Sequence, residues 1–356
     1  MIPAFDEKEL EMAADKGYYG EISVFHYPVS PKQAVKAMYA RKPIWAITGS
    51  ETAVFTPLCV PDNVARAFVF EGRPFDPNNG GGRDMFGIEW EYVPMAGGSM
   101  VRPGKPFLED ANEWYDKLVW PDPKSWDWAG TAEANREFLK TDKYVCMWIM
   151  NGWYERLISF MDFEGAIMAM ADEDQQEAVR ELFMKLSDLY IEIIDLALEH
   201  MPQIDGFCVH DDWGSQKETF FSPRLVEDLI VPAMKKVTDH LHERGMDCEL
   251  HSCGQNYKQV PNMIKAGWDM WNPQPMNDTR KIYEEYGDKL IIGVVPEMSG
   301  ADAGEETQKA EADAFAARFC ADPARPCLIN KTSGRVMTPA FGRELYRASR
   351  LAYQDK

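Results

Sequence analysis

The chain has 356 residues, 45% of them hydrophobic, and a formal net charge of -20 from 38 basic and 58 acidic side chains. That composition supports a large core and excludes extended disorder. So acidic a surface repels polyphosphate and anionic lipid, which argues against nucleic acid and membrane as partners. No stretch of about 18 apolar residues offers a transmembrane helix, and the opening Met1-Ile2-Pro3-Ala4-Phe5-Asp6-Glu7 lacks the basic and apolar regions of a signal peptide. The seven cysteines (59, 146, 208, 248, 253, 320 and 327) are odd in number and scattered, which fits reduced thiols and a cytoplasmic setting.

In chain order, a strand is expected over 21–27 after an acidic lead-in. Ser30-Pro31 opens a helix to about Ala40, with serine as cap and proline in the first turn, and Pro43 to Ile47 reads as a short apolar strand. Residues 70 to 130 differ in character. A glycine-rich loop at Asn78 to Gly82 precedes an alternating strand, Phe86 to Pro94, with turns at Gly97-Gly98 and Pro103-Gly104, so this region is read as a hairpin insertion. Its glycines are followed by no Gly-Lys-Ser/Thr and make no phosphate loop. Trp126 and Trp128 fall in a loop that either caps a pocket or packs beneath itself.

From residue 140 strand and helix alternate. Strands are expected at 144–149, 205–209, 248–251, 270–272, 290–295 and 327–329. Helices are expected at 152–161, 175–200, 222–244, 260–266, 279–286, 305–320 and 339–353. This rhythm predicts parallel strands covered by helices. Polar residues follow several successive strands rather than one, which favours an α/β fold of the (β/α)8 TIM barrel type over an open doubly wound sheet. The expected organisation is a single barrel domain over 1–356, with an N-terminal extension and the insertion at about 70–130.

The strand tips collect Asn151, His210, Asp211, Asp212, His251, Cys253, Asn272, Gln274, Glu297 and the segment Asn330 to Ser333. His251-Ser252-Cys253 is the sharpest of these. In extended backbone its imidazole and thiol point the same way and make half of a tetrahedral zinc site. His210, Glu297 or a carboxylate of Asp211-Asp212 can complete a shell, and a three-ligand zinc with an open position is catalytic in type. Each of these residues also has a plain reading, as a buried filler, a turn cap or a hydrogen-bonded core group.

At these residues the sequence resembles the uroporphyrinogen decarboxylase superfamily. The resemblance spans nearly the whole chain and rests on Pro43-Ile44-Trp45, His210 to Gln216, Ser222-Pro223, His251-Ser252-Cys253-Gly254, Gly267-Trp268-Asp269 and Tyr286 to Leu290 before Gly293. It implies the same (β/α)8 barrel. The decarboxylase branch carries arginines after its Pro-Val-Trp-like segment, where this chain reads Ala46 to Ser50 and the acid Glu51. The His-x-Cys-Gly motif resembles the corrinoid-linked methyltransferase branch. That implies zinc, a cobalamin carried on a separate corrinoid protein, and a small methylated substrate. The loop-rich segment 84–121 resembles members that act as demethylases for methyl ethers.

The methyltransferase pattern adds a downstream cysteine as third ligand. Cys327 lies at a comparable distance but at the start of the last strand, so Glu297 at the preceding tip is the substitute, with Cys327 as the alternative. Asp211 or His210 is the expected acid toward a leaving oxygen. Trp148, Asn151 and Asn272 are the expected substrate-binding residues, and Trp153 is an aromatic candidate for which core packing is the simpler role. The expected activity is methyl transfer from a small O-methylated compound, such as an aryl methyl ether, to cob(I)alamin. Methylcobamide-to-thiol transfer, a metal-free decarboxylase and a silent binding barrel are the alternatives.

Overall fold

The computed structural model describes residues 3–17, 20–95, 97–300, 302–334 and 336–354. In chain order the strands are β1 (Met12–Gly17), β2 (Gly20–Phe25), β3 (Thr52–Phe55), β4 (Gly82–Arg83), β5 (Glu89–Val93), β6 (Gly98–Val101), β7 (Tyr144–Ile149), β8 (Gly206–His210), β9 (Asp247–His251), β10 (Met270–Trp271), β11 (Ile291–Val294) and β12 (Leu328–Ile329). The chain divides into two compact units. One comprises Met1–Ala53, Asp142–Tyr144 and Asp269–Lys356, the other Val54–Thr141 and Val145–Trp268.

The first unit holds β10, β11 and β12 side by side and parallel, with Met270 opposite Ile291 and Gly293 opposite Leu328. The strand expected at 43–47 shrinks to one parallel bridge at Ile47. There Ile47 N–H donates to Cys327 O at 3.2 Å and Ile329 N–H to Ile47 O at 2.7 Å. The helices Thr279–Tyr286, Glu305–Phe319 and Pro339–Gln354 lie where the apolar periodicity places them. The strand expected over 21–27 is β2, and it has an antiparallel partner, β1, that the sequence reading missed. Tyr27 stacks on Trp45 at 4.8 Å between ring centroids, and buried Glu9 receives Arg350 Nε at 2.9 Å.

Glu51, the acid that stands where the decarboxylase branch carries arginines, belongs to this unit. Its carboxylate is buried and turned inward, accepting Trp45 Nε1–H at 3.0 Å, Thr48 N–H at 3.1 Å and Gly49 N–H at 3.0 Å. It is a loop-closing group, so its charge is no argument against an anionic substrate.

The second unit holds β7, β8 and β9, again parallel and in chain order, with Trp148 opposite Cys208 and His210 opposite His251. β7 reads Tyr-Val-Cys-Met-Trp-Ile and is buried at every position, as a strand covered on both faces should be. Val179, Leu182, Phe183, Leu186, Tyr190 and Ile193 of the helix Gln176–His200 build the core beside it. The helix expected over 222–244 is two, Pro223–Leu229 and Val231–Glu243, because Pro232 has no N–H for the carbonyl of Asp228. The first helix after β7 runs on to Ala171 across a break at Asp162 (φ 59°, ψ 171°). At the break Phe160 O accepts Leu108 N–H at 2.8 Å, and Asp162 Oδ2 accepts Gly104 N–H at 2.6 Å.

The insertion is a three-stranded antiparallel sheet, β4-β5-β6, with one strand more than the expected hairpin. It is tied down by a buried ionic triad. Arg156 donates to Asp84 Oδ2 at 2.6 Å and to Asp62 Oδ2, and all three residues are buried. Trp128 is buried with its indole on Pro123 O at 2.8 Å, so it packs beneath its own loop. Both units are α/β. The closed ring of eight strands goes beyond what either unit displays by itself.

Candidate metal centre

The centre of the second unit is built by parity. His210 ends β8 and His251 ends β9, and they are register partners with ring centroids 5.0 Å apart at 13°. Side chains alternate along extended backbone, so Asp212 returns to the face of His210 while Asp211 points the opposite way. The contacts agree. Asp211 is fully buried and accepts Glu155 N–H at 2.9 Å and the Trp213 indole N–H at 2.8 Å, which makes it the cap of the helix beginning at Trp153. Gly152 is required beside it, since a Cβ there would stand 2.6 Å from Asp211 Cβ. Burial pushes the Asp211 carboxyl up to about 8, against the pull of its two donors. Both of its oxygens accept from these scaffold groups.

Asp212 faces the cluster. Its Oδ1 accepts Cys253 N–H at 2.6 Å, and its Oδ2 lies 3.5 Å from His210 Nε2. Burial opposes its charge, yet His210, His251, the Cys253 amide and Arg66 together hold its carboxyl below the ordinary range. His251 Nε2 lies 3.3 Å from Cys253 Sγ. The ligand atoms of His210, Asp212 and His251 all fall within 4.8 Å of one another. Gly254 permits the turn that brings Cys253 in. Its φ is +92°, and a Cβ would sit 2.1 Å from Gly214 O.

This donor set fits zinc. Bond lengths near 2.0–2.1 Å to nitrogen and 2.3 Å to sulfur at a tetrahedral angle place the two ligand atoms roughly 3.6 Å apart. Burial first, and the Asp212 carboxylate second, push the Cys253 thiol well above its usual value. A thiol and a carboxylate thus compete for space that suits only one negative charge, and a divalent cation relieves that conflict.

The surroundings are aromatic and partly charged. The Trp148 ring lies 5.3 Å from His251 and 5.6 Å from Phe68, and Phe68 is 4.4 Å from Phe70, in centroid distances. Arg66 Nη1 pairs with Glu155 at 2.9 Å, Arg66 Nη2 reaches His210 Nδ1 at 3.5 Å, and the guanidinium lies over Trp90 at 5.1 Å. Asn151 is fully buried and donates from Nδ2 to Asp62 at 2.7 Å, while its Oδ1 has no partner among the described residues. Trp153 is core, its indole on Ser187 Oγ at 3.0 Å. The sequence reading did not single out Arg66, Phe68 or Trp90, because a loop carries the first two and the inserted strand β5 the third, and no local spacing announces their approach.

The remaining candidates belong to the first unit. The Glu297 carboxylate is exposed and pairs with Arg280. Cys327 is buried just before β12, its thiol raised by burial and by neighbouring Cys320. Asn272 Oδ1 accepts Lys331 N–H at 3.1 Å, and Asn330 Nδ2 donates to Pro273 O at 2.5 Å.

Residues 157–316 match the family model described as Uroporphyrinogen decarboxylase (URO-D). Among solved structures, a methyltransferase from Methanosarcina mazei is similar in fold with a TM-score of 0.56, at 15% identity, covering 90% of this chain and 98% of that one. Alpha-galactosidase from Saccharomyces cerevisiae with raffinose aligns at a TM-score of 0.33 and 11% identity, over 92% of this chain and 60% of that one. No curated protein matches the sequence. No helix among the described residues is long and apolar enough to cross a membrane. The resemblance read from the motifs is thus met by the uroporphyrinogen decarboxylase family model over residues 157–316.

Proposed function

We propose that this chain is a zinc-dependent methyltransferase on a (β/α)8 barrel. It takes a methyl group from a small O-methylated compound, an aryl methyl ether, and gives it to cob(I)alamin carried on a separate corrinoid protein. The observation that carries the proposal is the cluster of His251, Cys253 and Asp212, with His251 Nε2 and Cys253 Sγ 3.3 Å apart. The superfamily match and the fold of the Methanosarcina mazei methyltransferase support it.

His251, Cys253 and Asp212 would hold the zinc, with Asp212 in the third position for which the sequence offered Glu297 or Cys327. Bound zinc supplies a Lewis acid for the ether oxygen, and the partner's corrinoid supplies the nucleophile. The chain's own residues do the rest. Phe68, Trp148 and His251 offer a wall of rings against which an aryl group stacks. His210 Nε2–H donates a hydrogen bond to the oxygen that keeps the electron pair when the carbon–oxygen bond breaks. The unpartnered Asn151 Oδ1 is an acceptor for a substrate hydroxyl.

The test has two parts. Purified wild type should carry about one zinc per chain, and His251→Ala almost none. Wild type should then transfer methyl groups from methoxylated aromatics to cob(I)alamin, with activity falling at least 100-fold in His251→Ala. Wild type without metal refutes the proposal. Activity with a thiol and methylcobalamin, but none with methyl ethers, replaces it with transfer in the opposite direction.

A further inference from the structure

We infer that Asn256 is a positioning residue of the metal centre: through Ser252 it fixes where the Asp212 carboxylate stands relative to the His251 imidazole. The inference rests on the metal reading above and names what keeps that site in shape before an ion arrives. Asp212 and His251 come from different segments, the loop after β8 and the tip of β9. Their ligand atoms, with that of His210, nevertheless lie within 4.8 Å of one another. The backbone ladder explains part of this. It reaches Asp211, whose N–H donates to His251 O at 2.9 Å, and Asp212 lies one residue past it.

Beyond that point side chains take over. Alternation along extended backbone turns Ser252 away from His251 and Cys253 and into the scaffold, where it is buried. Its Oγ accepts the N–H of Trp213, the residue after Asp212, at 3.2 Å. Asn256, also buried, donates from Nδ2 to that same oxygen at 3.0 Å and to Cys253 O at 2.6 Å. An amide nitrogen carries two protons, and these two bonds use both. The Asp212 carboxylate then closes the ring of bonds by accepting Cys253 N–H at 2.6 Å. Asn256 thus grips two members of a circuit that runs through Asp212, Trp213, Ser252 and Cys253.

The facing loop is shaped around this clasp. A Cβ on Gly214 would stand 2.6 Å from Asn256 Oδ1 and 3.0 Å from Gln255 N, so a side chain there would push Asn256 out. Gln255 N–H donates to Ser215 O at 2.7 Å and binds the two loops once more. Without the clasp the ion itself would have to order both loops, which weakens its binding. Gln259 supplies an internal comparison. It is equally buried, and its Nε2 ties the far end of the same loop through Thr219 Oγ1 and Phe221 O, both at 3.0 Å. Among the described residues its side chain bonds to neither Ser252 nor Trp213.

The test uses the full chain, cobalt(II) as the ion and amide exchange as a second readout. In metal-free protein, Ser252→Ala and Asn256→Ala should each speed exchange of the Trp213 amide at least about tenfold while β8 stays protected. Each should bind cobalt(II) at least about tenfold more weakly than wild type, with shifted visible bands. Ser252→Thr, which keeps the hydroxyl, should stay within about threefold of wild type. The double variant should be at most about twofold weaker than Asn256→Ala, because both act through one oxygen. Gln259→Ala should lower the melting temperature yet bind cobalt(II) within about threefold of wild type. Ser252→Ala, which removes a single oxygen, carries the test if Asn256→Ala does not fold. Wild-type affinity and bands in Ser252→Ala overturn the inference and leave the metal reading intact. So does a Gln259→Ala variant that loses cobalt(II) as severely as Ser252→Ala. Wild type that takes up no cobalt(II) overturns both.

Discussion

Replacing Arg156 by methionine removes the cation that holds two buried carboxylates together. The methionine fills much of the stem's volume, but Asp62 and Asp84 are left facing each other without their common partner. Removing one member of a buried ion pair costs about 3–5 kcal/mol. Other donors remain: Met85 N–H and Asn151 Nδ2–H on Asp62, and Phe86 N–H, Ile88 N–H and the Trp90 indole on Asp84. The loss therefore belongs near the low end, about 3 kcal/mol. Unfolding entropy near 2.1 cal/mol/K per residue gives this chain about 0.75 kcal/mol/K, so the melting temperature should fall by about 4 °C.

The deficit should also depend on pH. Burial, and then Asp84, already raise the Asp62 carboxyl above its ordinary value against the pull of Arg156, and without Arg156 it rises further. A carboxyl raised in the folded state binds a proton there that the unfolded chain has released. Its stabilisation is thus present at low pH and is lost as pH climbs above about 4. Melts of wild type and Arg156→Met at pH 5 and pH 8 should differ less at pH 5. The triple variant with Asp62→Asn and Asp84→Asn should recover at least half of the loss. A deficit below about 1 kcal/mol, or one that is the same at both pH values, refutes the reasoning.

Other consequences are as direct. Gly254→Ala forces a side chain into positive φ and onto Gly214 O, so it should cost at least 2 kcal/mol by the ~1–3 kcal/mol scale of backbone strain plus the clash, and should reduce metal content with it. Asp211→Asn should flatten the decline of stability between pH 5 and pH 8. The Asp211 carboxyl, raised to about 8, loses its protonated form across that window, and the amide cannot. Glu51→Gln should destabilise by about 1–3 kcal/mol, because the amide presents N–H groups to donors that need an acceptor, and should leave the affinity for anionic substrates unchanged.

Much of this molecule could be read from spacing alone. The apolar periodicity of Gln176–His200 and the uninterrupted run of β7 belong to elements whose burial dictates their composition. His251 and Cys253 were legible for the same reason, since strand parity fixes where alternate side chains go. The same rule, applied one strand earlier, separates Asp212 from Asp211, and a paired Asp-Asp hides this only because its two members are chemically alike. Arg66, Phe68 and Trp90 escaped because they come from a loop and an inserted sheet, whose approach to β8 is set by tertiary packing. The break at Asp162 left no signal either, being neither glycine nor proline.

Asp211 and Asp212 share a side chain and a peptide bond, and almost nothing else. One is sealed against a helix start and the other faces His210 and the Cys253 amide. A slip of a single position in β8 would exchange them, stripping the helix of its anchor and the proposed metal site of its carboxylate in one step. Any redesign of this centre therefore has only alternate positions to work with, and the residues between them belong to the scaffold.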